Sequence, residues 1–200
     1  MNLSIVVPLL NEQDSLEELF TRIKTVCFEN DFSFEVVFVD DGSTDDSWQI
    51  IEYLSKFHPE VKGIKFRKNF GKSPALSAAF KVVKGDVVIT MDADLQDFPE
   101  EIPSLYNTLV NKKADIVSGW KQNRQDNKLT KNLPSKLFNG VARKTSGVQL
   151  HDFNCGLKAY RREVTQNIEL YGDMHRYIPV LAKNAGYHRI LEKQVRHKAL

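Results

Sequence analysis

The chain has 200 residues, 42% of them hydrophobic and 27% charged, and a formal net charge of +2. That composition is ordinary for a soluble globular domain, and the length lets one core form without disulfide or metal staples. The small net charge argues against a general nucleic-acid binder, and no apolar run approaches the roughly 18 residues of a membrane span.

The first half alternates strand and helix. LSIVVPLL (3–10) reads as a buried strand. EQDSLEELFTRIKTVCFEN (12–30) places Leu16, Leu19, Phe20, Ile23, Val26 and Cys27 at helical spacing. FEVVFVDDG (34–42) is a second strand, ending in acids and glycine. STDDSWQIIEYLSKF (43–57) predicts a helix capped by Ser43 or Thr44, with Trp48 on its core side. VKGIKFRKN (61–69) is a third strand, and KSPALSAAFKVVKG (72–85) a helix ended by Gly85. DVVITMD (86–92) is a fourth strand, PEEIPSLYNTLVNKK (99–113) a helix, and ADIVSGW (114–120) a fifth strand. The pattern predicts an α/β fold with a mostly parallel central sheet and helices on both faces.

The second half is less regular. NRQDNKLTKN (123–132) is a polar, basic loop, and residues 134–145 look helical. HDFNCGLKAYRREVTQNI (151–168) reads as loop, short strand and helix, YIPVLAKNAG (177–186) as a helix, and HRILEKQV (188–195) as a strand. Charge is uneven. Residues 1–60 hold thirteen acids against three bases, whereas 121–144 hold seven bases against Asp126 alone. The basic run is either a solvated face or a site for an anionic partner such as phosphate or a membrane surface. Cys27 and Cys155 are far apart without metal-like spacing, which reads as reduced thiols. No signal peptide is read at the start. His58, His175 and His188 read as surface or packing residues.

Three stretches carry chemistry. Asp92-Ala93-Asp94 follows the strand VVIT, where two carboxylates can approach one ligand. Neighbouring carboxylates raise each other's pKa, and a divalent cation removes that penalty; oxygen-only ligands suit Mg²⁺ or Mn²⁺. VDDGSTDDS places Asp40 and Asp41 at another strand tip, where a buried carboxylate could accept from a base N–H or a ribose hydroxyl. In RKNFGKSPAL, Gly71 allows close backbone approach and Lys72 could neutralise phosphate, though the spacing is not that of a Walker loop. Ligands of parallel sheets bind beyond the carboxyl ends of the strands, where both acidic motifs fall.

VVPLLNE, VVFVDDGSTDDS, NFGKSPALSAAF, VVITMDADLQDFPEEIP and DFNCGLKAYRREV occur in that order. In this combination the sequence resembles family 2 inverting glycosyltransferases with the GT-A fold. Within them it is most similar to the dolichyl-phosphate mannose synthase-like branch, which includes bacterial polyprenyl-phosphate glycosyltransferases of the cell envelope. The resemblance covers nearly the whole chain. It implies a metal-dependent, inverting transfer of a hexose from a nucleotide-diphosphate sugar, with UDP as the expected nucleotide, to a polyprenyl phosphate of undecaprenyl type.

The resemblance also implies a division of labour within a single domain spanning 1–200. Residues 1–120 would form the nucleotide-sugar and metal half, and 121–200 the acceptor half. Pro8, Leu10, Asn11, Glu12, Asp40, Asp41, Asn69, Lys72, Asp92 and Ala93 would bind the donor. Asp92, Asp94 and Gln96 would hold Mg²⁺ or Mn²⁺. Arg124, Lys131, Ser135 and Lys136 would receive the acceptor phosphate, and Asp94, Asp152 and Arg124 would form the catalytic set. Trp120 is placed to pack against the sugar. Leu133, Leu137, Phe138 and Val141, ringed by Lys136, Arg143 and Lys144, suit either an interfacial helix or core packing. Relatives in this branch often continue past an H-x-x-R into amphipathic and transmembrane helices. Here His197 is present and Leu200 stands where arginine is expected, so the expectation is a soluble catalytic domain cut from a protein anchored at the cytoplasmic face of a membrane. The oligomeric state, homo-oligomer included, is left open. Two rival readings remain: a family 2 transferase acting on a sugar hydroxyl, as in polysaccharide or cell-wall synthesis, and a non-catalytic nucleotide-sugar-binding module.

Overall fold

The computed structural model describes residues 1–121 and 146–198. Among them seven strands form one sheet in the order β3-β2-β1-β4-β6-β5-β7. In chain order the strands are β1 (Leu3–Leu9), β2 (Phe34–Asp40), β3 (Val61–Lys65), β4 (Val87–Thr90), β5 (Ile116–Trp120), β6 (Lys158–Arg161) and β7 (Ile190–Gln194). The helices are α1 (Leu16–Glu29), α2 (Ser47–Phe57), α3 (Lys72–Phe80), α4 (Ile102–Asn111), α5 (Arg162–Gln166) and α6 (Ile178–Asn184). Short 3₁₀ turns at Pro99–Glu101 and Met174–Tyr177 lead into α4 and α6.

The near-continuous apolar strands are explained by burial on both faces. Successive side chains of a strand point to opposite sides. In β1, Leu3, Ile5, Val7 and Leu9 face a core built with Leu16, Leu19, Phe20 and Ile23 of α1, Ile51 of α2 and Leu105 of α4. Val6 faces a second core with Ala75, Leu76 and Ala79 of α3, Val164 of α5 and Ile178 of α6. Trp48 packs at the edge of the first core, as its helical position predicts.

The sheet is parallel except at β6, which runs antiparallel to both β4 and β5. Of the boundaries that differ from the sequence expectation, three have a visible physical reason. α1 starts at Leu16, because Glu12 accepts the Ser15 N–H (3.1 Å) in a turn that precedes the helix. α2 starts at Ser47 with Asp46 before it; Ser43 and Thr44 are occupied in contacts to Asn11 and cap nothing. α3 ends at Phe80 instead of running to Gly85. The Lys84 N–H donates to buried Glu35 (2.6 Å) and the Gly85 N–H to Ser4 Oγ (2.8 Å), which pulls that stretch out of the helix.

Candidate active site

β1 lies between β2 and β4. The chain runs outward from β1 through β2 to β3, then returns on the other side of β1 as β4. Parallel sheets open a crevice at such a reversal of strand order. A cavity of about 350 Å³ lies there, lined by Pro8, Leu9, Leu10 and Glu12 after β1, Asp41 after β2, Asn69, Gly71, Lys72 and Ala75 around the start of α3, and Asp92, Ala93 and Asp94 after β4. Its size is that of a small-ligand site. Of the residues expected to bind a nucleotide sugar, Pro8, Leu10, Glu12, Asp41, Asn69, Lys72, Asp92 and Ala93 thus share one cavity. Asn11 and Asp40 are not among its lining residues.

Those two residues serve the backbone. Asn11 has a left-handed φ of 56°; its N–H donates to Ser43 Oγ (2.9 Å), and its Oδ1 accepts from the Thr44 N–H (2.8 Å). Glu12 continues the seam, its N–H donating to Ser47 Oγ (2.9 Å). Asp40 is fully buried; its Oδ1 accepts the Ser43 N–H (2.8 Å), and its Oδ2 has no partner among the described residues. Asp41 lines the cavity, yet both its oxygens hold backbone, accepting from the Phe70 N–H (2.7 Å) and the Gly71 N–H (2.8 Å). Gly42 lets the two loops touch: its φ is +81°, and a Cβ there would lie 2.5 Å from the Lys68 carbonyl carbon. Asp41 of the DDG motif therefore orders the loop at Phe70 and Gly71 that leads into Lys72.

The β4 side holds the charge. Lys72 forms an ion pair with Asp92 Oδ1. Burial opposes ionisation of Asp92, but Lys72, helped by Lys121 and Lys158, outweighs it and holds the carboxyl below its ordinary value. Asp94 and Glu12 go the other way. Burial raises both, and negative neighbours add to it: Asp92 and Asp97 for Asp94, and Asp94, Asp45 and Asp92 for Glu12. Lys121 opposes the rise at Asp94 without cancelling it. The donors of this corner are carboxylate oxygens, which suit a hard divalent cation.

Gln96 sits beside Asp94. Its N–H and its Nε2 donate to the Asp94 carboxylate (3.1 and 2.7 Å), and its Oε1 lies 3.0 Å from His197 Nε2. The expected third metal ligand is therefore adjacent to the carboxylates, with its amide oxygen turned to the imidazole. Among the described residues no group of three His, Cys, Asp or Glu side chains is gathered to hold an ion. A pair of carboxylates completed by ligand phosphates is the usual Mg²⁺ arrangement, so the residues present fit such an ion.

Several residues emerge that sequence reasoning did not single out. Gly156 packs against Asp92, where a Cβ would lie 2.5 Å from its Oδ2. Thr90 Oγ1 donates to the Gly156 carbonyl (2.7 Å), tying that turn to β4. Lys158 is buried and donates to the Phe153 carbonyl (3.2 Å) and to that of Cys155. Asp97 is fully buried and pairs with buried Lys121 at 2.7 Å. DFNCGLK contained Gly156 and Lys158 in plain view, but a lysine opening a strand gives no sign that its ammonium is buried.

Asp152 is nearly buried in the same segment. Its Oδ1 accepts the Asn154 N–H (2.9 Å), and its own N–H donates to Glu192 Oε1 (3.0 Å). Trp120 stacks on His151 with ring centroids 4.4 Å apart, so one of its faces is already covered. Arg124, Lys131, Ser135 and Lys136, and the helix expected over 134–145, lie outside the described residues. Both cysteines are free and buried. Among the described residues no helix is long and apolar enough to cross a membrane.

Known proteins share both sequence and fold. The chain is 34% identical, over its full length, to dodecaprenyl-phosphate galacturonate synthase of Rhizobium johnstonii. It is 40% identical over 92% of its length to undecaprenyl-phosphate 4-deoxy-4-formamido-L-arabinose transferase of Pseudomonas fluorescens. It spans 60% and 54% of those relatives' own lengths. Among solved structures, glucosyl-3-phosphoglycerate synthase from Mycobacterium tuberculosis in complex with UDP superposes with a TM-score of 0.76 at 20% identity, covering 100% of this chain and 72% of that one. The same enzyme with Mn²⁺ and UDP-glucose gives a TM-score of 0.74 at 22% identity, with the same coverage. The architecture is accordingly GT-A. The family model for glycosyl transferase family 2 matches residues 4–169, which include β2, β4 and the whole cavity lining, and this chain belongs to that family.

Proposed function

We propose that this domain transfers a hexose from a nucleotide-diphosphate sugar, a UDP-sugar in the first instance, to a polyprenyl phosphate, with inversion at the anomeric carbon. One observation carries the donor half of this reading: Glu12, Asp92, Asp94 and Lys72 converge on a single cavity at the strand-order reversal. The names of the two relatives carry the acceptor half. Residues 1–120 would supply the donor site and the later residues the acceptor site, at a membrane surface because the acceptor is a lipid.

Asp92 and Asp94, with Gln96 turning its amide oxygen inward, would hold Mg²⁺ or Mn²⁺. Such an ion offsets the negative charge that develops on the departing diphosphate. Lys72 would exchange its contact with Asp92 for the diphosphate oxygens. An acceptor phosphate oxygen forms the new bond to the anomeric carbon. The bond from that carbon to the donor's phosphate oxygen breaks, and its electron pair leaves with the nucleoside diphosphate. A phosphate monoester is largely ionised at neutral pH, with a second pKa of about 6, so no proton need be removed. Asp152, with Oδ1 on the Asn154 N–H, serves as a positioning residue in this scheme. A sugar-hydroxyl acceptor would instead require a base.

Calorimetric titration with UDP and GDP, each with and without Mn²⁺, tests the donor half. Mn²⁺-dependent binding of UDP in preference to GDP is expected. Tight binding of GDP alone would replace the donor class, and binding of neither by folded protein would end the reading. Gly156→Ala is a second test. The added Cβ pushes the Asp92 carboxylate aside, so Mn²⁺-dependent UDP binding should weaken about tenfold, or about 1.4 kcal/mol. The displaced atoms are the tip of one side chain, so the melting temperature should barely move. Unchanged UDP affinity would mean that the position of Asp92 is irrelevant to the nucleotide.

A further inference from the structure

A second, narrower cleft adjoins the donor cavity, and the two share Lys72. Its walls include Asn154 and Lys158 on one side and His175 and Arg176 on the other. Among the described residues no carboxylate lines it. We propose that this cleft binds the phosphate of the acceptor, with Arg176, Lys158 and Lys72 as its cations. The proposal rests on the polyprenyl-phosphate reading above and names the subsite for it.

Four observations support it. Arg176 is exposed at the cleft, and its guanidinium makes no hydrogen bond or ion pair among the described residues. Lys158 is buried, with its ammonium protons directed to only two carbonyls, those of Phe153 and Cys155. Burial lowers the pKa of Lys158, no carboxylate pairs with it directly among the described residues, and an approaching anion would favour its charged form. Asn154 has a buried Oδ1 without a partner among the described residues; rotated by half a turn, the same amide presents its NH₂ there. His175 registers the local field. Burial and then the charges of Lys72 and Arg176 push its pKa down to about 4, with Asp173 opposing.

The imidazole is also oriented. Ser73 Oγ accepts the His175 backbone N–H (2.9 Å), and its own hydroxyl lies 3.1 Å from Nδ1. With Nδ1 accepting from that hydroxyl, the neutral ring carries its proton on Nε2 as a donor. The cleft itself is only about 20 Å³, room for one oxygen atom. A phosphate would therefore insert a single oxygen, leaving the others at the mouth beside Lys72 and Arg176. The acceptor phosphate and the donor diphosphate would then meet at Lys72, which lines both spaces.

The test uses farnesyl phosphate, a soluble polyprenyl monophosphate, with farnesol and inorganic phosphate as separate arms. Binding is measured by calorimetry for the wild type, Arg176→Ala and Arg176→Lys, beside UDP with Mn²⁺. Arg176→Ala should weaken farnesyl phosphate at least tenfold and leave UDP within about twofold. Arg176→Lys should recover part of the loss. Farnesol should not bind, and inorganic phosphate should compete with farnesyl phosphate in the wild type. Arg176 is exposed, so its removal does not threaten the fold. Equal farnesyl phosphate affinity in wild type and Arg176→Ala, no binding by the wild type, or an equal loss of UDP would overturn the proposal. Arg176-dependent phosphate binding without any UDP binding would instead remove the donor reading and leave this subsite standing.

Discussion

Asp94→Ala is expected to abolish Mn²⁺-dependent UDP binding and to lower sugar transfer by at least about a hundredfold. The estimate follows from the several kcal/mol that a bound metal contributes to charge stabilisation, at about 1.4 kcal/mol per factor of ten. The same substitution should not destabilise the protein. Burial and the negative charges of Asp92 and Asp97 hold the Asp94 carboxyl above its ordinary value. An acid whose pKa rises on folding binds protons more readily in the native state. Its ionisation therefore subtracts stability as pH rises from the unfolded value through the folded one. Removing it relieves Asp92 and Glu12. Melting curves check this directly. Without Mn²⁺ the variant should melt at or above the wild type. With Mn²⁺ the wild type should rise, because a ligand of the native state stabilises it by mass action, and the variant should not. A variant that still gains stability from Mn²⁺ would move the metal away from Asp94.

The same acids illustrate what could be read beforehand. DAD was legible because a run of β-formers carried it straight to a strand end, and parallel sheets present such ends to ligands. DDG was legible as a site element but not in its work. Asp41 holds Phe70 and Gly71, residues some thirty positions away. Nothing in the local pattern reports that contact. The Lys72–Asp92 pair has the same character: each residue was assigned to the donor, and only the fold shows that one neutralises the other.

The strands were legible for a related reason. Burial on both faces demands continuous apolar runs, and each of β1, β2, β4 and β5 has one. What decides a strand's neighbour is non-local. Insertion of β6 between β4 and β5, antiparallel to both, leaves no mark on periodicity. That insertion carries DFNCG against Asp92, so the part of the site least visible in the sequence is the part built by strand order. Helix ends failed for the complementary reason. Before α1 and α2, Asn11 and Ser43 side chains accept backbone N–H groups of each other's loops, and after α3 the Lys84 and Gly85 N–H groups donate to Glu35 and Ser4; local capping rules do not see such partners.

The Asp97–Lys121 pair should be the most sensitive point of the fold outside the two apolar cores. Asp97 is fully buried, and Lys121 nearly so. The pair joins the segment after β4 to the end of β5. Asp97 also forms an isolated bridge with His197, and the Trp120 carbonyl accepts the Val195 N–H (3.1 Å), so three chain segments meet there. Removing one member of a buried pair leaves the other charged and unpaired, at a cost of about 3–5 kcal/mol. At roughly 2–4 °C per kcal/mol for a chain of this size, Lys121→Met alone or Asp97→Leu alone should lower the melting temperature by about 6–20 °C. The double variant should recover most of that loss, because apolar replacements need no compensating charge. Transfer activity should stay low in the double variant even so. Lys121 is one of the charges that keep Asp92 ionised, and Asp97 accepts from the Asp92 N–H at 3.4 Å. Recovery of stability and activity together would assign the pair to the fold alone. Recovery of stability without activity would show that it also sets the charge of the carboxylate next to the cavity.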